Sequence, residues 1–209
     1  MPFVIPSPAE GRVKLVTIFF GANDSCYPVD DPNMNQCVPL PNFRANLIKL
    51  ITHPAITAHP GIKLVLITPP PIDEAQQFAA DQVRGFTQPR RSAANTKAYA
   101  DMVRTLGQER GIAVVDLWTR FVKHAGWKEG DPLPGLRDRE GDGRFLELFT
   151  DGLHLSPKGY RELYDEFWVV LRRDLPNLAP ENFDVRLPYW NAFPPDWVQP
   201  VDPEPPLER

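Results

Sequence analysis

The chain has 209 residues, 23 Lys and Arg against 27 Asp and Glu, and a net charge of −4, enough for one domain with a sizeable core. Acidic and basic residues are interspersed, which excludes the clustered positive charge of a nucleic-acid footprint, and no apolar run approaches the ~20 residues that a bilayer crossing needs. The start of the chain lacks the basic and apolar regions of a secretion signal, so the expectation is a cytoplasmic protein with no membrane and no nucleic-acid partner.

Residues 1–12 read as an irregular, Pro-punctuated lead-in, 13–190 as one domain and 191–209 as a Pro-rich loose tail. The first strand is expected over 13–20, an apolar run (Leu15, Val16, Ile18, Phe19, Phe20) halted by Gly21-Ala22-Asn23-Asp24. Near-continuous apolar strands are typical of parallel sheets covered on both faces, and ligands of open α/β sheets sit outside the carboxyl ends of the strands. A long loop follows, carrying the two cysteines, Cys26 and Cys37, which are expected to be free thiols. A helix over 42–52 places Phe43, Leu47, Ile48 and Ile51 on one face and ends at His53-Pro54. A second strand over 62–68 stops at Pro69-Pro70-Pro71, and a polar stretch runs to about Arg91.

A helix over 92–110 carries Tyr99, Met102, Val103 and Leu106 in one stripe, with Gly111 placed to cap it. The third strand is expected over 112–117, then a short helical piece over 118–125 and a Gly/Asp/Arg-rich insertion over 130–144. In the final helix Ser156 suits the N-cap and Pro157 the first position. Its expected face is Tyr160, Leu163, Tyr164, Phe167, Val170 and Leu171. Alternating apolar strands and helices imply an α/β fold with a parallel sheet and helices on both faces.

Asp151 and His154 are the first candidates for chemistry. A carboxylate three residues before an imidazole in a tight turn can accept from Nδ1–H and fix the tautomer, leaving the other ring nitrogen as a base; the alternative is a satisfied surface histidine. Asn23, at the end of the first strand, either donates its amide to a developing oxyanion or closes an Asx turn. Asp24 is assigned to the turn itself, and His53, His59 and His124 to structural or solvated roles. No His/Cys/Asp cluster has metal-ligand spacing, and there is no Gly-rich phosphate loop.

Phe19-Phe20-Gly21-Ala22-Asn23-Asp24 and Asp151-Gly152-Leu153-His154 resemble the third and fifth sequence blocks of the SGNH/GDSL hydrolases. The likeness is closer still to the isoamyl-acetate-hydrolysing esterase group, in its fungal form. Ile67 to Glu74, Asn95 to Ala100, Val115 to Trp118 and Leu153 to Tyr160 resemble that group too. The resemblance implies a flavodoxin-like three-layer α/β/α fold, no cofactor, and hydrolysis of small, acetate-like carboxylic esters by a Ser-His-Asp mechanism. In it His154 is the general base, Asp151 its orienter and Asn23 an oxyanion donor.

One part of the family pattern is missing. The Gly-Asp-Ser block that supplies the nucleophile, and the Gly block that completes the oxyanion hole, have no counterpart here. The domain is therefore expected to be truncated at its N-terminus, to lack its first strands, and to be weakly active or inactive as it stands. Ser25 and Cys26 lie near Asn23 but are rejected as substitutes, because the family's nucleophile stands on a different strand. The first strand here is expected to form an exposed edge able to self-associate. The alternative to an esterase is a non-catalytic remnant that binds a small acyl ligand or a protein partner.

Overall fold

The computed structural model describes residues 4–138 and 143–183. The tail expected over 191–209 and part of the 130–144 insertion lie outside the described residues. In chain order the elements are β1 (Leu15–Phe19), α1 (Leu40–Ile51), α2 (Pro54–Thr57), β2 (Lys63–Ile67), α3 (Glu74–Val83), α4 (Ala93–Arg110), β3 (Ala113–Val115), α5 (Leu117–His124), α6 (Gly143–Leu146) and α7 (Pro157–Asp174). Two short 3₁₀ turns follow, at Pro176–Leu178 and Pro180–Asn182.

The three strands run parallel in the order β1-β2-β3, with Thr17 opposite Val65 and Ile67 opposite Val115. Strand side chains alternate between faces, so odd and even positions feed two different cores. Leu15, Val65, Ile67, Ala113 and Val115 meet Phe121 of α5, Phe145 of α6 and Val170 of α7. Val16, Ile18, Leu64, Leu66 and Val114 meet Phe43, Leu47 and Ile51 of α1 and Tyr99, Val103 and Leu106 of α4. Helices therefore cover both faces of a parallel sheet, the expected three-layer α/β/α arrangement.

Local chemistry sets the boundaries. Ser92 and Ser156 cap α4 and α7, their hydroxyls accepting from Asn95 N and Gly159 N, and Gly111 ends α4 at φ +61°. The third strand is shorter than expected, because Asp116 caps α5 at once by accepting from Thr119 N. The polar stretch expected before Arg91 contains α3, a correction. Its signal is Asp73, whose carboxylate accepts from Gln76 N at 2.8 Å, an N-cap followed by polar residues rather than by an apolar stripe. His53 does not simply end α1. It caps α2, its Nδ1 accepting from Ala55 N.

The expected face of α7 also needs correcting. Val170 and Leu171 are buried, whereas Tyr160 and Tyr164 are 61% and 53% exposed. The N-terminal half of the stripe lies along the outer side of the sheet, where Tyr160, Leu163, Tyr164 and Phe167 line a groove of about 460 Å³ with Thr17 and Ile67. β1 is the strand at that edge. Just past it, Phe20 is 55% exposed. No described helix is long and apolar enough to cross a membrane.

Candidate active site

The Asp151–His154 turn is built almost entirely from itself. One Asp151 oxygen accepts from Leu153 N (3.1 Å) and His154 N (2.8 Å), and the other faces His154 Nδ1 at 2.8 Å. Burial alone would raise the Asp151 carboxyl, but the hydrogen bonds from His154 and Leu153 outweigh it and hold the group below the usual carboxylate range. The His154 side chain is 64% exposed, and among the described residues no partner occupies its Nε2. A carboxylate on Nδ1 leaves Nε2 as the nitrogen free to exchange a proton.

Gly152 makes the turn possible. It sits at φ +80°, and a Cβ there would lie 2.5 Å from Asp73 O and 2.6 Å from Gln77 N. Its carbonyl accepts from Asp73 N at 2.9 Å. The turn is thereby seated on the N-terminal end of α3.

Asn23 stands on the loop leaving the adjacent strand. Asp24, not Asn23, closes that turn: its Oδ2 accepts from Gly21 N at 3.0 Å. The Asn23 side-chain oxygen instead accepts from Arg91 Nη2 at 3.2 Å, while Arg91 Nε donates to Ala22 O. Asn23 is exposed and Arg91 is buried. Arg91 was not singled out from the sequence, where Arg90-Arg91 looks like an ordinary basic pair in a loop. No described hydrogen bond joins Asn23 to Asp151 or His154. The two loops share only a scaffold: Gly152 rests on Asp73, and Glu74 accepts from Ala93 N at 2.7 Å, two residues beyond Arg91.

Each of the four serines has a structural task. Ser7 Oγ donates to Glu10, Ser156 Oγ to Glu147 O, and Ser92 Oγ accepts from Tyr27 OH and caps α4. Ser25 is fully buried, with its Oγ 3.3 Å from Ala22 O and 3.4 Å from Thr96 Oγ1. None is bonded to His154. Cys26 is buried, and it and Cys37 are free thiols. His59 is buried, receiving Val13 N on Nδ1 and facing Pro6 O through Nε2, and His124 lies between Glu147 and Glu162.

The sequence profile of the GDSL-like lipase/acylhydrolase family matches residues 4–162. The chain belongs to that family. A bovine isoamyl acetate-hydrolyzing esterase 1 homolog is 33% identical over 176 residues, covering 84% of this chain and 60% of the relative. A GDSL esterase/lipase of Arabidopsis thaliana is 32% identical over 190 residues, covering 89% of this chain and 70% of the relative. The chain thus spans about 60% of the length of the bovine relative. Among solved structures, an acetyl-xylooligosaccharide esterase variant from a Geobacillus superposes with a TM-score of 0.50 at 21% identity, covering 76% of this chain and 59% of that one. This likeness concerns the fold. Relatives named isoamyl acetate-hydrolyzing esterase recur among the matches, including one of Homo sapiens at 31% identity, consistent with the group that the motifs resemble.

Proposed function

We propose that this chain carries the acid–base half of a carboxylic ester hydrolase acting on small, acetate-like esters. The observation that supports this reading best is the Asp151–His154 pair, closed at 2.8 Å on Nδ1 with the opposite nitrogen exposed. In the reaction His154 Nε2 takes the proton of the attacking hydroxyl and returns it to the leaving alcohol. Asp151 holds the ring in the required tautomer and stabilises the imidazolium formed in between. Asn23 Nδ2 donates to the oxygen of the tetrahedral intermediate, a role worth roughly 3 kcal/mol where one such donor has been removed.

The attacking serine is not among the four described above, and no Gly-Asp-Ser occurs in the sequence. The test is therefore to extend the chain at its N-terminus with the Gly-Asp-Ser-bearing strand and helix of an active relative, and to follow p-nitrophenyl acetate hydrolysis. The reading predicts turnover that falls at least a thousandfold with His154→Ala. Turnover indifferent to His154 would overturn it.

The same four engaged serines favour a second reading, a non-catalytic chain that binds a small acyl ligand or a protein partner. The groove lined by Thr17, Ile67, Tyr160, Leu163, Tyr164 and Phe167 offers an apolar surface for it. An extended chain that folds but stays inactive would select this reading. Among the described residues β1 pairs with a strand on one side only, and its other edge is also a surface for self-association, since an unpaired strand presents free backbone donors and acceptors. Sedimentation would then show mass rising with concentration, and Thr17→Pro would abolish the rise.

A further inference from the structure

We infer that Arg91 is a positioning residue that fixes which end of the Asn23 amide faces the site, and that the strap of residues 90–95 holds Asn23 ready as a donor. The inference rests on the reading of Asn23 as an oxyanion donor and adds the device that orients it.

The first step is a matter of inventory. An asparagine side chain has an oxygen that only accepts and a nitrogen that only donates, and rotation by half a turn exchanges them. Arginine has five N–H donors and no acceptor. The atom of Asn23 that meets Arg91 Nη2 at 3.2 Å must therefore be Oδ1. Nδ2 is then turned away from the strap, and among the described residues it donates to nothing. An amide left free to rotate would present oxygen half the time, and an oxygen facing a developing oxyanion repels it.

The second step is rigidity. Arg91 is only 4% exposed. Its Nε donates to Ala22 O, and its Nη2 is shared between Asn23 Oδ1 and Gln36 Oε1. The same strap holds the loop at four further points: Tyr27 N donates to Arg90 O, Arg90 Nη2 to Met34 O, Asn95 Nδ2 to Ser25 O, and Tyr27 OH to Ser92 Oγ. Both ends of the Ala22–Ser25 segment are gripped. Burial lowers the Arg91 guanidinium from its ordinary value, but an arginine side chain keeps its charge in proteins. That charge polarises the Asn23 amide through its oxygen and strengthens the N–H as a donor, because hydrogen bonds in a chain reinforce one another.

Lysine cannot do the same work. A guanidinium fork serves Ala22 O and Asn23 Oδ1 at once from two nitrogens, whereas an ammonium is a single point charge on a flexible stem.

The test needs no turnover, so its failure is distinct from failure of the esterase reading. The side-chain NH₂ signals of Asn23 are assigned in a ¹⁵N spectrum of the 209-residue chain by their loss in Asn23→Asp, then followed in Arg91→Lys, Arg91→Met and Gln36→Ala. The inference predicts that both Arg91 variants move the Asn23 signals toward the positions of a free amide more than any other side-chain amide. Gln36→Ala, which removes only Arg91's other acceptor, leaves them in place. Arg91→Lys keeps the charge, and so remains informative if Arg91→Met fails to fold. Asn23 signals unmoved in a folded Arg91 variant, with backbone signals of β1 and α4 unchanged, would overturn the inference.

Discussion

The two polar loops of the candidate site are made in opposite ways. The Asp151–His154 turn is closed within four residues, its carboxylate meeting, among the described residues, only donors two and three positions away. The Asn23 loop is held by a residue 68 positions later in the chain. A local turn has its geometry decided by its own residue types and by one glycine. A strapped loop has its geometry decided by tertiary packing, so it is lost whenever the strap is. A base needs a partner that sets its tautomer, which a neighbour can supply. On the proposed reading, a neutral amide donor needs something to stop it rotating, and Arg91, from another part of the fold, is placed to supply it.

The sharpest way to break the local turn is Gly152→Val. It forces a β-branched residue to φ +80° and drives its Cβ against Asp73 O and Gln77 N. Strained backbone and overpacking together are expected to cost about 3 kcal/mol or more, read as a lower urea midpoint. A cost under about 1 kcal/mol would mean that the turn is not seated on α3. Asp151→Asn is gentler, about 1–2 kcal/mol, because one amide oxygen still accepts while the charge-assisted bonds are lost.

The same carboxylate gives the turn an acid limit. The Asp151 carboxyl is held below its usual range in the folded protein, so its contribution is complete above about pH 4 and disappears as pH falls through the folded value. Urea melts from pH 5 downward are expected to lose stability less steeply in Asp151→Asn.

The long-range side has an alkaline limit instead. Tyr99 OH donates to Val38 O at 2.6 Å, and Val38 N donates to Asp24 O, tying down the far end of the Asn23 loop. Burial, helped by the Cys37, Asp24 and Cys26 charges, raises Tyr99 to about 12. A folded value above the unfolded one, about 10, contributes stability that is complete below pH 10 and is lost as pH rises toward 12. Stability is expected to fall across that window in the parent chain and to fall less in Tyr99→Phe. Smallest of all, Ser25→Ala removes two long hydrogen bonds and is expected to cost under about 1 kcal/mol. It should leave any ester turnover of the extended chain unchanged.

What could be read from the sequence follows the same division. The apolar strands, the Ser92 and Ser156 caps and the Asp-Gly-Leu-His turn carry their signals locally, within a period or a spacing of three. α3 has a polar inward face, with Gln77 and Asp81 as its buried residues, so no apolar stripe announces it in the sequence. The apolar stripe of α7 runs beyond its buried part, because periodicity tells which side chains share a face, not whether another element covers them. Tyr160 and Tyr164 share the stripe of Val170 but lie beside the sheet edge. Arg91 is invisible in the sequence because nothing in a loop Arg-Arg pair points to an asparagine on the loop after β1.

The proposed reading is that the chain holds an oriented base and an oriented amide donor, with none of its four serines placed to use them. Its most direct test is p-nitrophenyl acetate hydrolysis by the purified 209-residue chain beside its His154→Ala variant. Removing the serine of a hydrolytic triad costs about a millionfold in kcat. The account predicts rates near the uncatalysed background and no difference between the two proteins. Rapid turnover by the parent chain that disappears in His154→Ala would contradict it.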